Sequence, residues 1–283
     1  MTLFKEAEGL KIYIGKQKNA GKTIGFVPTM GALHSGHISL IEQSKQKCDI
    51  SVCSIFVNPT QFNDPKDFEK YPVTISNDIL QLERAGVDIL FLPSVNEIYP
   101  EGLSNLPHYD LGDIENLLEG KYRPGHFQGV CQVVHRLLQV VSPGYIFMGQ
   151  KDYQQCIIVK KLIELTNMPV KLETGKTHRE ESGLAMSSRN TRLSGEQMKD
   201  ATAISTILKY IKDKYQAAPL RDLEEYAKKF LLSNGFSKVD YVSIANAATL
   251  HPVESAATQV KSVALIAATI GETRLIDNMV LQD

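Results

Sequence analysis

The sequence has no surplus of charge of either sign: Lys plus Arg number 31 and Asp plus Glu 32, a net charge of -1 with His neutral. A dedicated nucleic-acid binder needs a basic excess or a basic stripe to neutralise phosphates, so no nucleic-acid partner is expected. A local basic pocket for a small anion stays open. No stretch approaches the ~20 apolar residues of a membrane span, and the start, MTLFKEAEGLKIYIGK, lacks the apolar segment of a secretory signal. The expectation is a cytoplasmic protein with no membrane partner. Cysteines are few, and Cys48, Cys53, Cys131 and Cys156 form neither a CxxC pair nor a metal-ligand spacing. Buried free thiols in a reducing compartment are expected. Internal repeats, low-complexity linkers and a GxGxxG fingerprint are also missing.

What is present is a chain of 283 residues with 43% hydrophobic content, enough for a large core in one or two domains. Strand-like runs occur at TIGFVPT (23–29), ISVCSIFV (50–57), VDILFLP (87–93), YIFMG (145–149) and VKLETG (170–175). Between them, ISLIEQSKQK (38–47), VTISNDILQLERAG (73–86), Val130–Val141 and Asp152–Thr166 carry apolar residues at helical spacing. Strand–helix alternation implies an α/β fold, a Rossmann-like parallel sheet with helices on both faces. Beyond about residue 176 the pattern changes. SGEQMKDATAISTILKYIKDKY reads as one helix, opened by a capping box of Ser194 and Gln197. PLRDLEEYAKKFLLSNGF reads as a second helix, with Gly235 at its end. KVDYVSIAN and SVALIAATIGETRLIDNMVL read as strands with a Gly-containing turn. The expected organisation is a larger domain over 1–176 and a smaller α+β domain over 177–283.

A partial phosphate-loop match, Gly15 with Gly21-Lys22-Thr23, fails on two counts. Five residues lie between the glycines, one too many, and the segment precedes a strand instead of following one. It reads as a surface turn ending the first helix. The turn Pro28-Thr29-Met30-Gly31-Ala32-Leu33-His34-Ser35-Gly36-His37 carries more. It lies between a parallel strand and an amphipathic helix, where open α/β sheets bind ligands. Free N–H groups and the dipole of the helix start favour an anion. His34 and His37, three apart, share one face of the first turn, and Gly31 and Gly36 let the backbone approach a nucleotide. Two imidazoles here suit phosphate oxygens that gain charge as pyrophosphate leaves. Zinc is the alternative, but neither Cys nor an acidic residue accompanies them at ligand spacing.

Two further clusters stand out, one after a strand and one in a short polar loop near the domain junction. Gly149-Gln150-Lys151-Asp152-Tyr153-Gln154-Gln155 places a cation beyond YIFMG, which alone would be an ordinary solvated lysine. Met186-Ser187-Ser188-Arg189-Asn190 offers two hydroxyls and a guanidinium, groups that hold phosphate through charge-assisted hydrogen bonds worth ~1.5–3 kcal/mol each. Alone it is ordinary loop composition.

Together, HxGH and the later SSR loop resemble the nucleotidyl-transferase superfamily that includes class I aminoacyl-tRNA synthetases. Asn58-Pro59-Thr60-Gln61-Phe62, Asp67 to Pro72 (DFEKYP), Arg123 to Val130 (RPGHFQGV), Gly149 to Gln155 and Gly183 to Asn190 (GLAMSSRN) closely resemble the pantoate–β-alanine ligase family. The resemblance runs in motif order from about residue 24 to 195, and only the small-domain pattern agrees beyond. It implies a two-step reaction. Pantoate's carboxylate attacks the α-phosphorus of ATP, then the amine of β-alanine attacks the pantoyl adenylate and expels AMP.

By that resemblance His34, His37, Lys151 and Arg189 are catalytic, His37 being the usual proton donor. The ATP site comprises Pro28, Thr29, Met30, Gly31, His34, Gly36, His37, Gly149, Lys151, Asp152, His178, Met186, Ser187, Ser188 and Arg189. Asp152 is placed on the ribose, and Ser187, Ser188 and Arg189 close over the β- and γ-phosphates. Gln61 and Gln155 bind pantoate, with Asn58, Tyr71, Arg123 and His126 lining the acyl or β-alanine side. Mg²⁺ is expected with ATP, at Asn77, Asp78 and Gln81. The smaller domain is a lid and the protein a homodimer. The chain departs from the family at Asn77, where relatives often have a second acidic residue, and at Ser182, where Asp is common.

Three other functions compete. Another adenylyltransferase would share HxGH but release no free AMP, and NPTQF, RPGHFQGV and KDYQQ favour the ligase. A tRNA synthetase needs more than the ~100 C-terminal residues for anticodon recognition and a less neutral charge. A nucleotide-sensing module would not need His37, Lys151 and Arg189 together.

Overall fold

The apolar runs of the first 176 residues alternate between two buried faces, as parallel strands covered on both sides must. The computed structural model describes residues 1–256 and 260–282. In chain order its elements are β1 (Thr2–Phe4), α1 (Ala7–Asn19), β2 (Ile24–Thr29), α2 (Ser35–Lys47), β3 (Ile50–Ile55), α3 (Pro65–Glu69), α4 (Ile75–Ala85), β4 (Ile89–Phe91), α5 (Val95–Ile98), α6 (Leu118–Tyr122), α7 (His126–Val141), β5 (Tyr145–Gly149), α8 (Tyr153–Thr166) and β6 (Lys171–Gly175). After these come α9 (Gly195–Ala201), α10 (Ala203–Lys214), α11 (Leu220–Ser233), β7 (Lys238–Asn246), β8 (Ser262–Ile270) and β9 (Thr273–Val280).

The chain divides into two compact units. One comprises Met1–Glu115, Arg123–Gln150 and Gln155–Lys176, the other Asn116–Tyr122, Lys151–Gln154 and Thr177–Asp283. The first holds a six-stranded, all-parallel sheet in the order β1-β4-β3-β2-β5-β6. Phe26, Val52 and Phe91 face one core, with Leu10 and Ile14 of α1, Leu137 of α7 and Val159 of α8. Val27, Cys53 and Leu90 face the other, with Ile41 of α2 and Leu82 of α4. Each such buried side chain stabilises the fold by roughly 1.5–3 kcal/mol, so a one-residue register slip would misplace both layers. The edge strand β1 was not foreseen, because TLF is too short to show alternation. All four cysteines are buried thiols outside any disulfide, as expected.

Strand order reverses at β2. From β2 the chain steps to β3 and β4 on one side and to β5 and β6 on the other. Gly25 and Phe26 of β2 pair with Tyr145 and Ile146 of β5, so the carboxyl ends of these two strands flank a switch point, the usual ligand position in such sheets.

The second unit packs α10 and α11 on an antiparallel sheet β7-β8-β9. Gly271 and Glu272 connect β8 to β9 as a two-residue turn. The helix read from Ser194 onward begins with the expected capping box, Ser194 Oγ accepting from Gln197 N at 3.2 Å and Gln197 Oε1 from Ser194 N at 3.0 Å. It is not continuous, however. At Thr202 the side-chain Oγ1 donates to the Lys199 carbonyl at 2.6 Å, and the helix breaks into α9 and α10. The turn near residue 21 ends α1 as expected, whereas Gly15 lies inside that helix. Among the described residues no helix is long and apolar enough to cross a membrane.

Candidate active site

At the end of β2 the backbone turns through two left-handed residues, Gly31 (φ 81°) and Ala32 (φ 48°), before His34 caps α2. A methyl group on Gly31 would sit 3.1 Å from both Asp78 Oδ2 and Ile55 Cγ2, so glycine is needed for space as well as for φ. Ala32 has no such freedom and is held there by bonding. Its N–H donates to Asp78 Oδ2 at 3.0 Å, and the Leu33 N–H donates to Asp78 Oδ1 at 2.9 Å. Thr74 Oγ1 donates to Asp78 Oδ1 at 3.1 Å, and Gln81 Nε2 to the Leu33 carbonyl at 3.3 Å. Thr29 Oγ1 completes the brace, donating to Ser54 O and accepting from Gly31 N.

These bonds bear on the expectation of a metal site on α4. Asp78 is fully buried and its two oxygens receive backbone and hydroxyl donors, whereas Asn77 is exposed. Gln81 is turned to a backbone carbonyl. The three residues therefore do not fit a cation, and among the described residues no cluster of three His, Cys, Asp or Glu side chains does.

The two histidines cap α2 reciprocally. His34 Nδ1 accepts the Gly36 N–H at 3.2 Å, and His37 Nδ1 accepts the His34 N–H at 3.3 Å. With both Nδ1 atoms accepting, each neutral ring carries its proton on Nε2. The rings stack at 4.1 Å between centroids and are half-buried. Two Nε2–H donors at a helix N-terminus form an anion-binding arrangement.

A second group lies after β3. Asn58 caps the 3-10 turn Pro59–Gln61. Asn58 and Gln61 are both buried, and Gln61 Nε2 lies 2.8 Å from Met30 Sδ, which brings the turn after β3 against the turn after β2. His126, at the start of α7, bonds the Gln61 carbonyl through Nδ1 at 2.8 Å, while Arg123 Nη1 lies 3.2 Å from its Nε2. A guanidinium only donates and a carbonyl only accepts, so His126 carries its proton on Nδ1. Gly129 of α7 must be glycine, since a methyl group there would fall 2.2 Å from the Thr60 carbonyl oxygen. Tyr71 is buried edge-on against Phe62 at 5.7 Å. Gln155 lies on the first turn of α8 and is half-buried.

The remaining predicted residues lie in the second unit, except Gly149, the last residue of β5. Lys151 occupies the 3-10 turn Gln150–Asp152, its side chain 17% exposed. Asp152 Oδ2 stands 3.8 Å from its ammonium, beyond hydrogen-bond range, so the charge is not consumed by a tight pair. The Lys151 carbonyl accepts from Asn278 Nδ2 at 2.8 Å. His178 and Met186 close a loop, Met186 N donating to His178 O at 2.9 Å. Arg179 anchors that loop in a two-pronged bond to Asp277, at 2.6 and 3.0 Å. Ser187 Oγ caps the 3-10 turn Ser188–Arg192 through the Arg189 N–H. Ser182 accepts the Leu184 N–H at 3.4 Å, which preserves a turn bond at a position that departs from the family.

Sequence reading missed Asp277, Asn278 and Tyr99, and did not foresee that Asp78 accepts the Ala32 and Leu33 N–H groups. An Asp-Asn pair inside the apolar run RLIDNMVL is a usable signal, since buried polar side chains in a strand must bond to something. Nothing in the sequence near Tyr99 marks it.

A sequence profile of the pantoate–β-alanine ligase family matches residues 2–280. The chain is 42% identical to the pantothenate synthetase of Carboxydothermus hydrogenoformans, covering 100% of this chain and 99% of that protein. It is 43% identical to that of Cytophaga hutchinsonii, covering 99% of each. Among solved structures, the Thermus thermophilus pantothenate synthetase superposes with a TM-score of 0.92 at 35% identity over the whole of both chains. The Francisella tularensis pantoate–β-alanine ligase, solved with beta-gamma ATP and β-alanine, superposes with a TM-score of 0.83 at 36% identity over 99% of this chain and 98% of that one. With its whole length matched in sequence and in fold, the chain belongs to the pantoate–β-alanine ligase family and is a ligase that joins pantoate to β-alanine.

Proposed function

We propose that this ligase works through a pantoyl adenylate, with ATP held by the turn between β2 and α2. The observation that carries the reading is the reciprocal capping of His34 and His37, which makes Nε2 the donor nitrogen of both rings at the start of α2. In the first step a pantoate carboxylate oxygen bonds to the α-phosphorus, and the bond from that phosphorus to the β-bridging oxygen breaks. Pyrophosphate leaves with the electron pair. The charge it gains meets the His34 and His37 donors and the hydroxyls and guanidinium of Ser187, Ser188 and Arg189, with His37 donating a hydrogen bond through its Nε2–H. Lys151 offsets charge on the α-phosphate, and Asp152 holds the ribose hydroxyls. Pro28, Thr29, Met30, Gly31, Gly36, Gly149, His178 and Met186 shape the nucleotide site. Prearranged charges of this kind act on the transition state without reorganising.

In the second step the uncharged amine of β-alanine bonds to the acyl carbon. The tetrahedral intermediate loses a proton and expels AMP, leaving the amide. Gln61 and Gln155 hold the pantoyl group, with Asn58, Tyr71, Arg123 and His126 on the acyl or β-alanine side. Mg²⁺ belongs to this reading as ATP's own counter-ion, held by phosphate and water oxygens, since magnesium keeps much of its hydration in such sites. Residues 1–176 take nucleotide and acid, and 177–283 supply the phosphate loop. A cytoplasmic homodimer belongs to the same reading, and family membership supports it. Exchange of labelled pyrophosphate into ATP, dependent on pantoate and independent of β-alanine, tests the adenylate. A ligase that joined its substrates in one concerted step would show no such exchange.

A further inference from the structure

Asn58 is almost fully buried, and each end of its amide has a defined partner. Nδ2 lies 3.1 Å from the Gly129 carbonyl oxygen, which can only accept. That bond determines which end of the amide is nitrogen. The other end, Oδ1, lies 2.9 Å from the Tyr99 hydroxyl, which must therefore donate. Burial pushes the Tyr99 phenol above its ordinary value, so it stays a protonated donor at any working pH. Thr60 Oγ1 stands near both ends of the amide, 3.0 Å from Nδ2 and 3.2 Å from Oδ1, so its rotatable hydroxyl sets no direction. Asn58 Nδ2 also reaches Gln61 Oε1 at 3.3 Å. The chain of bonds then has one sense: Tyr99 O–H to Asn58 Oδ1, Asn58 Nδ2–H to Gln61 Oε1, which makes Gln61 Nε2 the donor end, and in this structure it meets the weak sulfur acceptor of Met30 at 2.8 Å.

We propose that Tyr99 is a positioning residue for acid binding: together with the Gly129 carbonyl it locks Asn58, and so makes Gln61 a hydrogen-bond donor to an acceptor oxygen of the acid substrate in place of the Met30 sulfur. The polarity of the Gln61 amide is thereby set, because Asn58 Nδ2 orients Oε1 toward itself. The inference rests on the reading of Gln61 as a pantoate ligand. Tyr99 itself touches no substrate in this account. It is buried behind Asn58, with its ring 6.4 Å from that of Phe56.

The test is Tyr99→Phe in the full-length chain, which keeps the ring and its packing and removes only the hydroxyl. Steady-state kinetics should give a KM for pantoate raised about 10-fold, the scale of one hydrogen bond, with kcat and the KM for ATP within about 2-fold of wild type. In a Gln61→Ala background the same substitution should change the pantoate KM by less than about 2-fold, because the group it orients is gone. A pantoate KM unchanged by Tyr99→Phe would overturn the proposal, and so would an equal rise in both backgrounds, the mark of a merely structural tyrosine. Calorimetric titration of pantoate into each variant checks the same split without turnover. Wild-type protein that neither binds nor uses pantoate would instead overturn the assignment of Gln61, on which the proposal stands.

Discussion

The turn after β2 and the loops around Lys151 both carry residues assigned to ATP, yet they are held in opposite ways. The first is organised by near neighbours. His34 and His37 cap each other's helix start across three residues, and Thr29 braces Gly31 across two. The long reach there is to Asp78, about one strand–helix unit away in sequence. The second is organised from the far end of the chain. Asn278 bonds the Lys151 carbonyl across 127 positions, and Asp277 holds Arg179 across 98. A local arrangement produces a recognisable string of residues, whereas a distant one leaves only isolated polar residues in apolar surroundings. β9 is thus part of the support of the Lys151 turn as well as the third strand of a small sheet.

That comparison can be broken most forcefully at the charges themselves. Lys151→Ala and His37→Ala should each lower adenylate formation by ~10²–10³, the scale for losing one prearranged charge stabiliser. Turnover of ATP equal to wild type in both variants would remove these residues from the reaction. Next in size is Asp78→Asn. It replaces one acceptor oxygen with an NH₂ group facing backbone N–H donors in a fully buried position, and should cost ~2–3 kcal/mol of stability. Denaturant unfolding measures this, and kcat should fall with the distorted turn. If Asp78 were instead a metal ligand, raising Mg²⁺ would restore activity, which the present account excludes.

Asn278→Ala tests the long-range half. Leaving the Lys151 carbonyl unpaired should reduce kcat about 5- to 10-fold, with the KM for pantoate unchanged, at a cost of ~1–2 kcal/mol in stability. Losses confined to stability would show that β9 supports the fold alone. The smallest effect is expected at Ser182→Asp. Its hydroxyl already accepts the Leu184 N–H, so a carboxylate should alter kcat/KM by less than about 2-fold.

These contrasts also explain how much could be read from sequence. β2, β3 and β5 were legible because long apolar runs between polar helices have few other uses. β1 was not, because three residues carry no period. The helix after Ser194 showed its capping box openly, but not its interruption, since Thr202 sits in an unbroken helical pattern and acts through a hydroxyl bond to Lys199. Within the site, HxGH and SSR were visible as strings. The task of Asp78 was not, because a carboxylate on a helix looks the same whether it faces a cation or two backbone N–H groups. Tyr99 and Asn278 were invisible for a related reason: their partners come from other elements, and only the fold determines which end of an amide meets which atom.

The most direct test of the account is AMP release from ATP, Mg²⁺ and pantoate, with and without β-alanine, alongside mass detection of the product. The account predicts AMP and pantothenate in equal amounts, in sustained turnover only when both substrates are present. Sustained turnover without either, or with a different acceptor only, would contradict the assignment of pantoate and β-alanine while leaving the nucleotide turn of α2 in place.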